Sequence, residues 1–93
     1  MFVGGCTLTL YLHGNNSLKG KRQAVSSIKG RVKNKFNIAI AEVGEQDNHR
    51  KIILGIATVS GDKNRVRETL DIAVNFIDEM HVAELLESRI ELY

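Results

Sequence analysis

The spacing of apolar residues changes in a set order along this chain, and that order restricts the fold more than any other feature. Segments with alternating apolar residues, which are typical of strands, lie near the start, in the middle and at the end. Two segments with apolar residues every three or four positions, which are typical of amphipathic helices, separate them. We predict strands in residues 2–13, 37–43, 51–60 and 82–93, and helices over 18–36 and after the opening pair Gly61 and Asp62.

The first and third predicted strands indicate which parts of the sheet are buried. In the first strand, Cys6, Leu8, Leu10 and Leu12 share one face, whereas Thr7, Thr9, Tyr11 and His13 share the other. The third strand is apolar on both faces, so we expect it inside the sheet.

The order βαββαβ predicts the fold class, which is α+β. With right-handed crossovers it favours a ferredoxin-like sandwich, in which a four-stranded antiparallel sheet carries two helices on one face. The chain of 93 residues, 43% hydrophobic and 26% charged, fits a single domain over 1–93. Because two helices cover only one side of such a sheet, apolar residues on the other side predict a homodimer.

Signatures of catalysis and metal binding are missing from the sequence. The three histidines, His13, His49 and His81, have no partner at a spacing typical of zinc sites, and no nucleophile motif occurs. Glu42, Glu45 and Asp47 are interpreted as solubilising residues of a hairpin loop rather than as a catalytic pair. We therefore expect no enzyme activity, no metal and no cofactor.

The single cysteine and the apolar runs bear on localisation. Cys6 has no cysteine partner within the chain, which favours a reducing compartment, and the cytoplasm is the expected location. No apolar run approaches the ~20 residues that cross a bilayer, so no membrane association is expected.

The first predicted helix carries a concentrated positive charge. Residues 1–41 contain seven basic residues and no acidic ones, whereas 42–93 contain six basic and eleven acidic residues, a net charge of −5. At 100° per residue, Arg22, Ser26, Lys29 and Lys33 fall on one flank of the apolar stripe, and Arg31 and Lys35 fall on the other. The predicted nucleic-acid-binding residues are Lys19, Lys21, Arg22, Lys29, Arg31, Lys33 and Lys35.

The loop before this helix is a second and weaker candidate site. Asn15, Asn16 and Ser17 precede a helix N-terminus, where free amide groups favour an anion. A turn closed by a Ser17 cap explains the same residues without any ligand, and this is the preferred interpretation.

Two functions from different classes remain open. The first is a non-catalytic factor that contacts RNA or a ribosomal particle through the basic helix, since the third strand has no aromatic residues on which bases could stack. The alternative is a homodimeric structural or adaptor domain that uses the open face of the sheet for protein contacts.

Several short strings resemble the YlxP-like family of small bacterial proteins, also called domain of unknown function 503. They are residues 17–22 (SLKGKR), 35–37 (KFN), 41–43 (AEV), 46–47 (QD), 54–55 (LG) and 59–60 (VS). The resemblance implies a ferredoxin-like fold and no accepted catalytic residues. Genes of this family often lie beside those of translation initiation and ribosome-binding factors, which favours ribosomal RNA as the partner. This chain has Gly20 and His49 where the family commonly has Glu and Trp.

Overall fold

Six elements follow one another in the predicted order in the computed structural model, which describes residues 1–93. They are β1 (Phe2–Tyr11), α1 (Leu18–Lys35), β2 (Ala39–Gly44), β3 (Lys51–Ser60), α2 (Lys63–Glu79) and β4 (Glu84–Leu92). β1 ends before its predicted limit because the chain turns at Gly14, whose φ of 75° lies in the left-handed region that glycine tolerates. β2 begins later than predicted, and the Asn37 carbonyl accepts a hydrogen bond from the Thr58 hydroxyl instead of from a strand partner.

The four strands form one antiparallel sheet in the order β2-β3-β1-β4. This confirms the predicted ferredoxin-like α+β fold and the position of β3 inside the sheet. β1 pairs with β3 along its whole length, from Phe2 opposite Ser60 to Tyr11 opposite Lys51. The two edge strands, β2 and β4, each contain an irregularity in register, which twists an edge and limits its pairing with other chains.

A single cluster of 16 buried residues forms the hydrophobic core between the sheet and the helices. Its sheet side consists of Cys6, Leu8 and Leu10, from the predicted apolar face of β1, and of Ile52, Leu54 and Ile56, from one of the two apolar faces of β3. Gly4 lets α2 approach β1 closely, since a Cβ atom there would lie 2.5 Å from Val66 Cγ1 and 2.9 Å from Leu92 Cδ2.

The helices divide the covered face of the sheet between them. α2 contacts β1, β3 and β4, whereas α1 contacts β2 and α2. α1 therefore lies over the β2 edge of the sheet. Neither helix is apolar over the length that crossing a membrane requires.

The opposite face of the sheet has no covering element and is apolar toward the β2 edge. Val43 and Val59 are 56% and 60% exposed there. Ala39, Ala41 and Ala57 lie between these valines and are also exposed.

Candidate nucleic-acid interface

The start of α1 is held in place by its own cap. Ser17 Oγ accepts a hydrogen bond from the Gly20 amide at 3.0 Å, which confirms the predicted Ser17 cap. The first turn contains no acidic residue, while Lys33 and Lys35 lie in the last turn, where cations interact favourably with the helix dipole. The geometry of the basic side chains therefore follows from a regular helix of 18 residues.

One flank of α1 and the inner side of β2 form a groove of about 430 Å³. Its lining residues are Arg22, Val25, Ser26, Lys29, Gly30, Lys33 and Glu42. The predicted grouping of Arg22, Lys29 and Lys33 on one flank is therefore confirmed. α1 bounds the groove on one side, and Glu42 of β2 bounds it on the other.

A second depression extends the groove toward the start of α1. It is lined by Lys19, Arg22, Gln23, Ser26 and Ser27. Arg22 and Ser26 therefore line both the groove and this depression. We call Lys19, Arg22, Lys29 and Lys33 the cationic row. Lys19 and Lys33 are 14 residue steps apart. A helical rise of ~1.5 Å per step therefore gives the row a length of about 21 Å.

No carboxylate contacts the cationic row. The three ion pairs of the structure are His13 with Glu84 at 2.8 Å, Lys21 with Glu42 at 2.9 Å and Arg89 with Glu91 at 3.6 Å. Because none of them involves the row, its four charges remain available to an external anion.

Arg31 and Lys35 lie outside the groove, as their position on the other flank predicted. Arg31 is exposed. The Lys35 ammonium lies 5.0 Å from the centre of the Phe76 ring, a cation–π distance, and Phe76 also packs edge-on against Phe36. Lys35 thus contributes to the contact between α1 and α2.

The assignment of Lys21 to an exposed basic surface is wrong. Its side chain is 1% exposed, and its Nζ lies 2.9 Å from Glu42 Oε2 and donates a hydrogen bond to the Glu45 carbonyl. A buried ammonium needs such partners, since removing a charge from water is costly. Lys21 is therefore a structural link between α1 and the β2–β3 hairpin.

Glu42 is also placed differently from its sequence interpretation. It faces α1 instead of solvent, with a side chain that is 20% exposed and an Oε2 atom that is fully buried. Two signals indicate that each of these side chains points inward, although neither relates one residue to the other. Lys21 lies four residues before Val25 on the apolar stripe, and Glu42 lies two residues after buried Ile40.

The loop at Asn15, Asn16 and Ser17 uses its polar groups internally. Asn15 Nδ2 donates to the Ser17 carbonyl at 2.7 Å and to the His49 carbonyl at 2.6 Å. Arg50 donates through Nε to the Asn15 carbonyl at 3.0 Å and through Nη2 to Asn16 Oδ1 at 2.8 Å. These bonds support the interpretation as a capped turn.

Gly20 leaves the space that this loop needs. A Cβ atom at Gly20 would overlap Asn15 Oδ1, so a larger residue at position 20 would require the Asn15 side chain to shift.

Acidic residues are concentrated away from the cationic row. The exposed acids of α2 and β4 are Glu68, Asp71, Asp78, Glu79, Glu84, Glu87 and Glu91. α1 lies over the β2 edge and β4 is the opposite edge, so these seven acids lie on other elements than the cationic row, whereas Glu42, Glu45 and Asp47 lie in β2 and the loop after it.

These features define a small ferredoxin-like α+β protein with one unneutralised basic helix face. A family described as "Protein of unknown function (DUF503)" matches residues 3–90, and the chain belongs to this family. The uncharacterized protein YlxP of Bacillus subtilis (strain 168) is 36% identical over 91 residues, which cover 98% of this chain and 99% of that protein.

Among solved structures, the fold is similar to a crystal structure described as a candidate chlorite dismutase. The two superpose with a TM-score of 0.57 at 12% sequence identity, over 100% of this chain. This chain spans 44% of the length of that structure. At this identity the likeness shows the fold alone.

Proposed function

We propose that this protein is a non-catalytic cytoplasmic factor that contacts RNA or a ribosomal particle through the cationic row. The observation that carries the proposal is the set of four basic side chains along one helix face with no carboxylate in contact. Nucleic-acid affinity without sequence specificity comes mainly from cations that replace the counterions of phosphates. Arg31 and Lys35 on the other flank add to the surrounding positive field.

The dependence of binding on salt gives this proposal a numerical form. If each residue of the row neutralises one phosphate, four contacts give a log–log slope of about −2.8 for single strands and about −3.6 for duplexes. A protein partner without clustered acids would give a much smaller slope.

The test compares two charge reversals of equal size. Lys29→Glu/Lys33→Glu removes two contacts of the row, and we expect the slope to shrink by about 1.4 for single strands and by about 1.8 for duplexes. Arg65→Glu/Arg67→Glu changes the charge equally at exposed positions of α2 and should leave the slope unchanged. Fluorescence anisotropy with labelled RNA over a salt series measures both. Equal weakening by the two variants, or affinity that ignores ionic strength, would refute an RNA contact at the row.

The uncovered face of the sheet supports a second candidate function, which is self-association as a homodimeric structural or adaptor domain. Exposed Val43 and Val59 border an apolar area that a second copy would bury. With ~3.3 Å per residue and ~4.8 Å per strand, the whole four-stranded face measures about 600 Å², and its apolar part on β2 and β3 about half of that. Two copies that pair over the whole face bury about 1,200 Å², which is at the lower limit for stable interfaces.

Sedimentation equilibrium distinguishes this second candidate. We expect dimers at tens of micromolar for the natural sequence and monomers for Val59→Lys, because the lysine replaces an apolar contact of the buried area with a charge. Ile72→Lys is the matched control, since Ile72 is 48% exposed on α2 and outside the sheet. A natural protein that is monomeric at this concentration would exclude this candidate.

A further inference from the structure

The groove beside α1 contains one carboxylate among its cations. Glu42 lines it together with Arg22, Lys29 and Lys33. Glu42 Oε2 is buried and lies 2.9 Å from Lys21 Nζ, which leaves Oε1 as the oxygen that can face the groove. A ligand that fills this groove therefore meets three positive groups and one hydrogen-bond acceptor.

That combination restricts the chemistry of the ligand. A bare polyphosphate has no donor for the free oxygen of Glu42, and a cationic ligand is repelled by the three basic residues. A nucleotide satisfies both, because its phosphate is anionic while its base edge carries N–H donors. The groove volume of about 430 Å³ lies within the range of about 300–1,000 Å³ that is usual for small-ligand sites.

We propose that the groove binds one unpaired guanine nucleotide, with its phosphate on the cationic row and its base edge donating hydrogen bonds to Glu42. This rests on the proposed function and names the RNA segment that the row would hold, which is single-stranded. Unpaired bases can turn their Watson–Crick edges toward a protein, whereas paired bases cannot.

Guanine fits better than the other bases because its N1–H and N2–H groups are adjacent. One carboxylate oxygen has two lone pairs and can accept both donors. Adenine and cytosine present one exocyclic amine beside a ring acceptor, and uracil presents one N–H between two carbonyl oxygens. Each of these places an acceptor against the Glu42 carboxylate, which is unfavourable when water is excluded.

Two features prepare the groove for such a ligand. Lys21 holds one oxygen of Glu42, so the carboxylate orientation is set before binding. At Gly30 a Cβ atom would meet no other atom within 4 Å, so the helix backbone borders open space in the groove. A side chain at position 30 would occupy that space without disturbing the core.

The experiment measures anisotropy with single-stranded RNA octamers that consist of uridine except for two central positions, which are guanine, inosine, adenine or uracil. We expect the guanine octamer to bind about tenfold more tightly than the uridine octamer, because one pair of well-placed hydrogen bonds to a base edge discriminates between bases by about this factor. Inosine, which lacks the N2 amine, should lose most of this preference. Equal affinities for all four octamers would overturn the proposal.

Two variants locate the preference. Glu42→Gln keeps an oxygen for Lys21 but removes the carboxylate, so the preference for guanine should vanish while the salt slope persists. Gly30→Gln should weaken all octamers by blocking the groove, and Gly30→Ala is its control. Should Glu42→Gln fail to fold by circular dichroism, the inosine comparison and the position-30 pair still decide the outcome.

The failure of this inference is distinguishable from the failure of the proposed function. Affinities that are equal for the four octamers but have a slope of about −3 contradict only the guanine site. Absence of salt-dependent binding contradicts both. Guanosine monophosphate is added as a competitor of the labelled guanine octamer. If it displaces the octamer at the concentration at which unlabelled guanine octamer does so, the groove binds guanine as proposed, and its ligand is a free nucleotide.

Discussion

Replacing Lys21 with Met should destabilise the fold far more than removing any other lysine of α1. The substitution leaves the Glu42 carboxylate half-buried, with its Oε2 atom enclosed and without its ion-pair partner. Removing one member of a buried ion pair costs about 3–5 kcal/mol. The Glu45 carbonyl also loses its bond from Nζ, although it still accepts one from the Asn48 amide at 3.0 Å.

This cost is large compared with the stability of so small a protein. At ~0.05–0.15 kcal/mol per residue, 93 residues give a free energy of unfolding of about 5–14 kcal/mol. The entropy of unfolding of ~2.1 cal/mol/K per residue corresponds to about 0.2 kcal/mol/K for the chain. A loss of ~3–5 kcal/mol should then lower the Tm by about 15–25 °C.

Thermal and urea denaturation followed by circular dichroism measure these quantities. The double variant Lys21→Met/Glu42→Leu removes both charges and should recover most of the lost stability, since apolar replacement of a buried pair is often neutral. Lys33→Met is the exposed control and should change stability by less than about 0.5 kcal/mol. The reasoning fails if the free energy of unfolding of Lys21→Met stays within about 1 kcal/mol of that of the natural protein. It also fails if the stability losses of Lys21→Met and Glu42→Leu, measured singly, add up to the loss of the double variant.

Three further changes probe the core and the start of α1. Gly4→Ala should cost about 1–3 kcal/mol in urea denaturation, because the new methyl group overlaps Val66, and Gly5→Ala beside it should cost less. Ser17→Ala removes the cap of α1 and should cost about 1 kcal/mol, whereas Ser17→Asn should restore it. Burial raises the pKa of the Cys6 thiol, so its contribution to stability is present below the unfolded thiol pKa of about 8.5 and is lost as pH rises through the higher folded value. Urea midpoints of the natural protein should therefore fall above about pH 9 more steeply than those of Cys6→Ala, and parallel curves would disprove this.

Most of the fold is determined by local sequence patterns. The alternation in β1 and the 3.6-residue stripe of α2 depend on neighbours in the chain, so they indicate element type and buried face without coordinates, while the apolar run of β3 indicates a strand inside the sheet. The same holds for the flank of α1 that carries Arg22, Lys29 and Lys33, because helix geometry alone places them together.

Only the tertiary structure decided which charges are available at the surface. Lys21 and Glu42 are 21 positions apart, and no periodicity relates them. They meet because α1 lies over the β2 edge. This contact buries Lys21, which was predicted at the surface, and brings the Glu42 carboxylate into the groove. Local spacing determines the direction in which a side chain leaves its own element, whereas its burial and its charged partner depend on the element that packs against it.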